Sequence, residues 1–305
     1  SKKSSTGSYE LEVESVHEDK NLPNISLVTL THNRKEMFRL ATLNYNMTKY
    51  PEDKIEWIIV DDSEDGETVE SHLPANQIDR ENMRIKYIKL ESKTEIGLKR
   101  NIGVENASND IILFMDDDDY YYPDSIGIRV KELINNKESN CVGITTIGTF
   151  DINNFVSSMN VPPFTLKFGA RITPSSLCFY KSFWETNKFL EVDLFEVADF
   201  FDNRLDQVRE ISWEGIMVGL IHSKNQILKP IQGQKPNGCH FKFSKKLYQF
   251  VITLDKNNDL KDDKNLDSIR QLATGQDTQG PQESQEPSEN SETPEIDNSE
   301  NQEQN

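Results

Sequence analysis

Residues 110–119 read Asp-Ile-Ile-Leu-Phe-Met-Asp-Asp-Asp-Asp, a short apolar run closed by four consecutive carboxylates. Ile111 to Met115 reads as a buried strand. Four like charges at a strand end repel one another unless a cation sits among them. Asp116 and Asp118, alternating along an extended segment, offer hard oxygen ligands to Mg²⁺ or Mn²⁺, ions that keep waters and take one or two carboxylates plus substrate phosphates. The pattern points to a diphosphate-bearing substrate. A solvated acidic turn has the same composition, so the case depends on the surrounding sequence.

Outward from this stretch, strands and helices alternate. Ile25 to Leu30 is a β-branched, mostly apolar run typical of a strand in a parallel sheet, and a polar helix is predicted from Lys35 to Thr48. A second strand over Ile55–Val60 is stopped by the loop chemistry of residues 61–66, Asp-Asp-Ser-Glu-Asp-Gly, and Arg84–Leu90 alternates as a third. A helix from Gly97 to Ala107 leads into the strand at Ile111. Later come a helix over Pro123–Asn136, a strand over Asn140–Phe150, a strand candidate over Arg171–Tyr180 and an apolar run over Ile216–Ile221 ending at His222. This order predicts an α/β fold, a mostly parallel sheet with helices on both faces, with ligands bound beyond the carboxyl ends of the strands. The unusual polar clusters all fall there: residues 31–34, Asp61-Asp62, and Asp116 to Asp119.

Composition sets the limits. The 305-residue chain has a net charge of −18, and residues 255–305 alone carry 14 acidic and 4 basic side chains. The remainder is mildly acidic and shows no positive face, which argues against nucleic acid as a partner. Three cysteines, Cys141, Cys178 and Cys239, are too scattered for a zinc site and too few for a disulfide framework. No apolar run approaches the ~20 residues needed to span a bilayer, and residues 1–22 have no apolar signal core, so a cytoplasmic protein with a flexible leader is expected. The expected domain is 23–254. Residues 255–305 form an acidic, low-complexity tail expected to be disordered, since it cannot bury enough surface to offset its chain entropy.

Taken together, residues 25–34 (ISLVTLTHNR), 57–66 (WIIVDDSEDG), 96–103 (IGLKRNIG), 107–119 (ASNDIILFMDDDD), 198–205 (ADFFDNRL) and 220–225 (LIHSKN) resemble the family 2-like, GT-A fold nucleotide-sugar glycosyltransferases. The similarity covers roughly residues 24–230. It implies a Rossmann-like three-layer α/β/α sandwich and transfer of a sugar from a nucleoside diphosphate donor, a UDP-sugar foremost, to a glycan, protein or lipid-linked acceptor. It also implies a divalent metal, Mn²⁺ or Mg²⁺, bound through an Asp-x-Asp motif.

Carried over position by position, the resemblance has Thr31, Asn33 and Arg34 line the nucleoside pocket. Asp61 or Asp62 would accept a hydrogen bond from the base. Lys99, Arg100 and Asn101 would lie near the donor phosphates or brace the acidic motif. Asp116 and Asp118 take the Asp-x-Asp positions, with His222 completing the metal site and His240 a weaker candidate. Asp117 would face ribose or solvent, and Asp119 matches a frequent extra carboxylate. For the base that deprotonates the acceptor, the family places a carboxylate, often in a Glu-Asp pair, at a helix start. Here Ala198-Asp199 stands at that place, so Asp199 is the choice, with Glu196 and Asp202 as alternatives. Trp184, Trp213 and Phe201 are candidate stacking residues for acceptor sugars, or core. Inversion rests on the resemblance alone. A noncatalytic nucleotide-sugar or glycan-binding module on the same fold is the rival reading, and a nucleotidyltransferase would want a Gly-rich phosphate loop that residues 31–36, THNRKE, lack.

Overall fold

The computed structural model describes residues 22–73, 84–225 and 235–255; most of the leader and nearly all of the acidic tail lie outside them. The apolar runs become the strands expected: β1 (Ile25–Thr31), β2 (Ile55–Asp61), β3 (Ile85–Lys89) and β4 (Ile111–Phe114). β1 pairs in parallel with β2 on one side and β4 on the other, and β3 extends the sheet beyond β2. Side chains alternate across it. Leu27, Trp57, Ile59 and Leu113 join one core layer, while Val28, Ile58, Val60 and Phe114 join the opposite one. Burial on both faces is what near-continuous β-branched and aromatic runs specify.

The first layer is filled by α1 (Phe38–Met47) and, after the two-residue strand β5 (Tyr120–Tyr121), by α3 (Ser125–Ile134). The second receives α2 (Ile96–Glu105), whose Gly103 lets the helix lie close on β1: a Cβ there would stand 2.4 Å from Val28 Cγ1. This is the three-layer GT-A arrangement. The sheet continues past β4 through β9 (Cys178–Tyr180), β6 (Cys141–Gly143) and β10 (Val208–Glu210), with only β9 antiparallel to its neighbours.

Three expectations need correction. The strand predicted over 140–150 is two: β6 in the large sheet and β7 (Ile147–Asp151) in a second, four-stranded sheet ordered β5, β11 (Met217–Ile221), β7, β8 (Val156–Asn160). The chain changes sheets at Ile144, whose N–H donates to Ser176 Oγ and whose carbonyl accepts from Thr173 N. Those same bonds belong to an irregular segment where Arg171–Tyr180 had been predicted as strand: the short helix α4 (Phe168–Arg171) and a 3₁₀ turn precede β9. Helix α1 also departs from its polar reading. Phe38, Ala41 and Tyr45 pack on the large sheet, while Met37, Leu40 and Leu43 pack against the small one, so it is apolar on two sides. The remaining helices, α5 (Lys181–Thr186), α6 (Val197–Phe200) and α7 (Lys245–Val251), are short.

Candidate active site

The chain runs one way from β1 to β2 and β3 and returns to β1's other side as β4, so the C-terminal ends of β1 and β4 flank a switch point of the sheet. Crevices form there because adjacent connections leave in opposite directions. A cavity of about 470 Å³ opens at this place, lined by Arg34 after β1, Lys99 and Arg100 of α2, Asp116, Asp118 and Asp119 after β4, and Glu196 across from them.

The four aspartates diverge. Asp116 lies nearest α2, with Oδ1 3.6 Å from Arg100 Nη1 and no hydrogen-bond partner for that buried oxygen. Asp117 is fully buried and meets Arg34 Nη2 at 2.7 Å through Oδ1. Burial, aided by the charges of Asp118 and Asp116 and opposed by Arg34, pushes its carboxyl up to about 7. Asp118 Oδ2 accepts from Arg34 Nη1 at 2.5 Å and from Asn225 Nδ2 at 3.3 Å, and lies 3.2 Å from His222 Nε2. Asp119 Oδ1 accepts from Leu220 N of β11, tying the turn to the small sheet. Burial alone would lower the Arg34 guanidinium, but the surrounding carboxylates, Asp117 first, outweigh it and hold it above its ordinary value.

The oxygens of Asp116, Asp118 and Asp119 come within 4.8 Å of one another. Three hard carboxylates at that separation, one with an unpartnered buried oxygen, are a donor set that fits Mg²⁺ or Mn²⁺. His222 is buried against Asp118 from the far side, and its backbone N–H donates to Asn225 Oδ1. His240 is exposed and does not line the cavity.

Other expected residues turn inward. Asp61 accepts from Ser63 N, Val69 N and the Tyr87 hydroxyl, which folds the loop after β2 onto itself. The Lys99 ammonium holds Asp62 Oδ1 at 2.5 Å, and Thr94 N donates to Oδ2; these bonds outweigh burial and keep the Asp62 carboxyl below its usual range. Lys99 also donates to the Thr31 carbonyl at 2.7 Å. Asn33 sits at φ 49° and joins the same loop through Ser63 Oγ and Glu64 N. Asn101 accepts from Trp184 Nε1 and Phe189 N. The Lys99-Arg100-Asn101 triplet therefore fastens three neighbouring segments to one helix.

On the opposite wall, Glu196 is buried, its Oε1 3.3 Å from Arg100 Nε. Arg100 is itself buried and stacks at 4.6 Å over Phe114, so one guanidinium stands between Asp116 and Glu196. Asp199 and Asp202 are exposed and do not line the cavity. Trp184 and Phe201 are core, and Trp213 is half-buried against it.

Residues 26–190 match the profile described as Glycosyl transferase family 2. The chain belongs to that family. The match ends before Glu196 and His222, so these two residues of the glycosyltransferase site lie outside the matched span. No curated protein sequence matches the chain. Among solved structures, the mannosyltransferase PcManGT from Pyrobaculum calidifontis, in complex with GDP-Man and Mn²⁺, is similar at 14% identity and TM-score 0.50, over 67% of this chain and 59% of that one. S. aureus TarS 1-349 is similar at 17% identity and TM-score 0.49, over 65% of this chain. A TarS 1-349 complex with UDP-GlcNAc gives 16% identity and TM-score 0.49 over 82% of this chain. The chain spans 60% of the first TarS structure.

Proposed function

We propose that this family 2 domain transfers a sugar from a nucleoside diphosphate sugar, a UDP-sugar foremost, to an acceptor hydroxyl with inversion. One observation carries the proposal: the convergence of Asp116, Asp118 and Asp119 on one wall of a single cavity with Glu196 on the other. Asp116 and Asp118, with Asp119 and His222 beside them, would hold a divalent ion. When bound, such an ion neutralises charge growing on the departing diphosphate.

The chain's own groups do the rest. Arg34 lies against Asp117 and Asp118 and supplies fixed positive charge at the phosphate end. Loop 61–66, kept in shape by Asp61, Asp62 and Asn33, borders the end of β1 where a nucleoside would lie, and its rigidity would limit the reorganisation cost of binding. Glu196 lines the cavity and Asp199 does not, which favours Glu196 as the group that takes the acceptor proton. Arg100 touches both Glu196 and Asp116 and would fix the distance between acceptor side and donor side.

The test is a panel of UDP- and GDP-sugars scored by thermal stabilisation with and without Mn²⁺, since a ligand that binds only the native state raises the melting point. Metal-dependent stabilisation by one member, followed by its Mn²⁺-dependent hydrolysis, is the expected result. Stabilisation without hydrolysis or transfer would favour the noncatalytic binding module. No stabilisation by any member would overturn the donor assignment.

A further inference from the structure

Phe195 stands on the cavity rim, next in sequence to Glu196, with 75% of its surface exposed and a backbone φ of 62°. Both features are unfavourable for a phenylalanine. A left-handed backbone crowds its Cβ against the following carbonyl, and the ring is left in water. Among the described residues the ring has no aromatic or cationic partner.

The conformation is held from both sides. Ala198 N donates to the Phe195 carbonyl, and Leu190 N to the Glu196 carbonyl. The loop is docked on the first turn of α2, where Ile96 N donates to Asp193 Oδ1 and Gly97 N to the Val192 carbonyl. Gly97 makes this possible, because a Cβ there would lie 1.6 Å from the Leu190 carbonyl oxygen. Strain maintained by this many contacts marks a side chain presented for use.

We propose that Phe195 is the platform on which the ring of an acceptor sugar stacks, presenting a hydroxyl to Glu196. The proposal rests on the transferase reading above. A pyranose carries an apolar C–H face and a rim of hydroxyls, and the adjacent pair offers an apolar ring and a carboxylate in matching order.

The test uses the full chain with Mn²⁺ and UDP, and methyl α- and β-glycosides of glucose, galactose, mannose and N-acetylglucosamine as probes in saturation-transfer NMR. Transfer to the ring C–H protons of at least one glycoside is expected. Phe195→Ala should weaken that glycoside roughly tenfold, and Phe195→Trp should hold it within about threefold. UDP binding, measured in parallel, should stay within about twofold in both variants. If Phe195→Ala also lowers the melting point, Phe195→Trp decides: retained glycoside binding supports the platform, and loss overturns it. No glycoside binding to the wild type, or equal binding to the alanine variant, overturns it as well. Nucleotide binding that persists in such a result leaves the transferase reading standing, whereas its absence would bring down that reading first.

Discussion

The two walls of the cavity are built by opposite strategies. The donor wall rises from the ends of β1 and β4 and from α2, its polar side chains buried and backed by a bonded network that reaches β2 and β3: Lys99 to Asp62 and the Thr31 carbonyl, Arg34 to Asp117 and Asp118, Asp61 to Ser63 N, Val69 N and the Tyr87 hydroxyl. The far wall comes from short, irregular pieces between residues 160 and 197 and shows exposed apolar groups, Leu194 and Phe195 among them. A preorganised network suits a ligand of fixed charge, such as a diphosphate, because its donors and acceptors need no rearrangement. An open apolar rim suits a partner whose identity differs between enzymes of one fold.

The largest expected effect tests the donor wall. Replacing Asp116 and Asp118 together by alanine should reduce Mn²⁺-dependent donor binding by ~100-fold or more, measured by calorimetry, because the donor set falls to one carboxylate. The melting point without ligand should barely move, since Arg34 keeps Asp117. Unchanged metal-dependent binding would remove the metal assignment.

Glu196→Gln comes next and separates the walls. It keeps size and hydrogen bonding but cannot take a proton, so transfer should fall by roughly 10²- to 10⁴-fold while donor affinity stays nearly constant. Asp199→Asn is the control. If that variant loses turnover and Glu196→Gln does not, the base is the exposed aspartate.

Gly97→Ala perturbs the seam between the walls. The added Cβ must displace the Leu190 carbonyl, so acceptor turnover should drop by ~10- to 100-fold and stability by about 1–3 kcal/mol, with donor binding changed little. Equal damage to donor binding and turnover would show that the two sides are not separable.

The smallest effect is one of pH. The Asp62 carboxyl is depressed in the fold, so its stabilising contribution is fully present above the unfolded value of about 3.9 and is lost as pH falls through the lower folded value. Asp62→Asn should therefore flatten the acid limb of the stability curve below about pH 4 and lower stability at neutral pH, as followed by thermal melts across pH. An unaltered acid limb would show that the Lys99 contact gives Asp62 no net advantage.

How much of this was legible in the sequence follows the same division. The strands of the donor wall announce themselves because both their faces are buried, so Ile25 to Leu30 is a mostly apolar, β-branched run and Ile111 to Met115 an unbroken apolar one. The aspartates were readable as a cluster because they are consecutive. Their separate destinations were not, since Arg34, Leu220 and Asn225 reach them from distant parts of the chain. The small sheet was hidden because β5 has two residues and β7 continues β6 without a turn signal. Glu196 appeared only as an alternative, and Phe195 did not stand out at all. Its exposure depends on Gly97 admitting the Leu190 carbonyl across ~90 residues of sequence, a contact no local pattern encodes.

Helix α1 lies between two sheets, and the apolar layer beneath the small sheet includes Leu40 and Leu43 from that helix and Met37 just before it. The small sheet thus packs on α7 and, on the other part of its core, depends on one side of a helix whose other side already belongs to the large sheet. Such a dependent layer should open before the rest in native-state hydrogen exchange, with amides of β7 and β11 exchanging at lower opening energies than those of β1 and β4. Asp119 and His222 are attached to that layer, so sub-global opening would disassemble the acidic site while the large sheet stays folded.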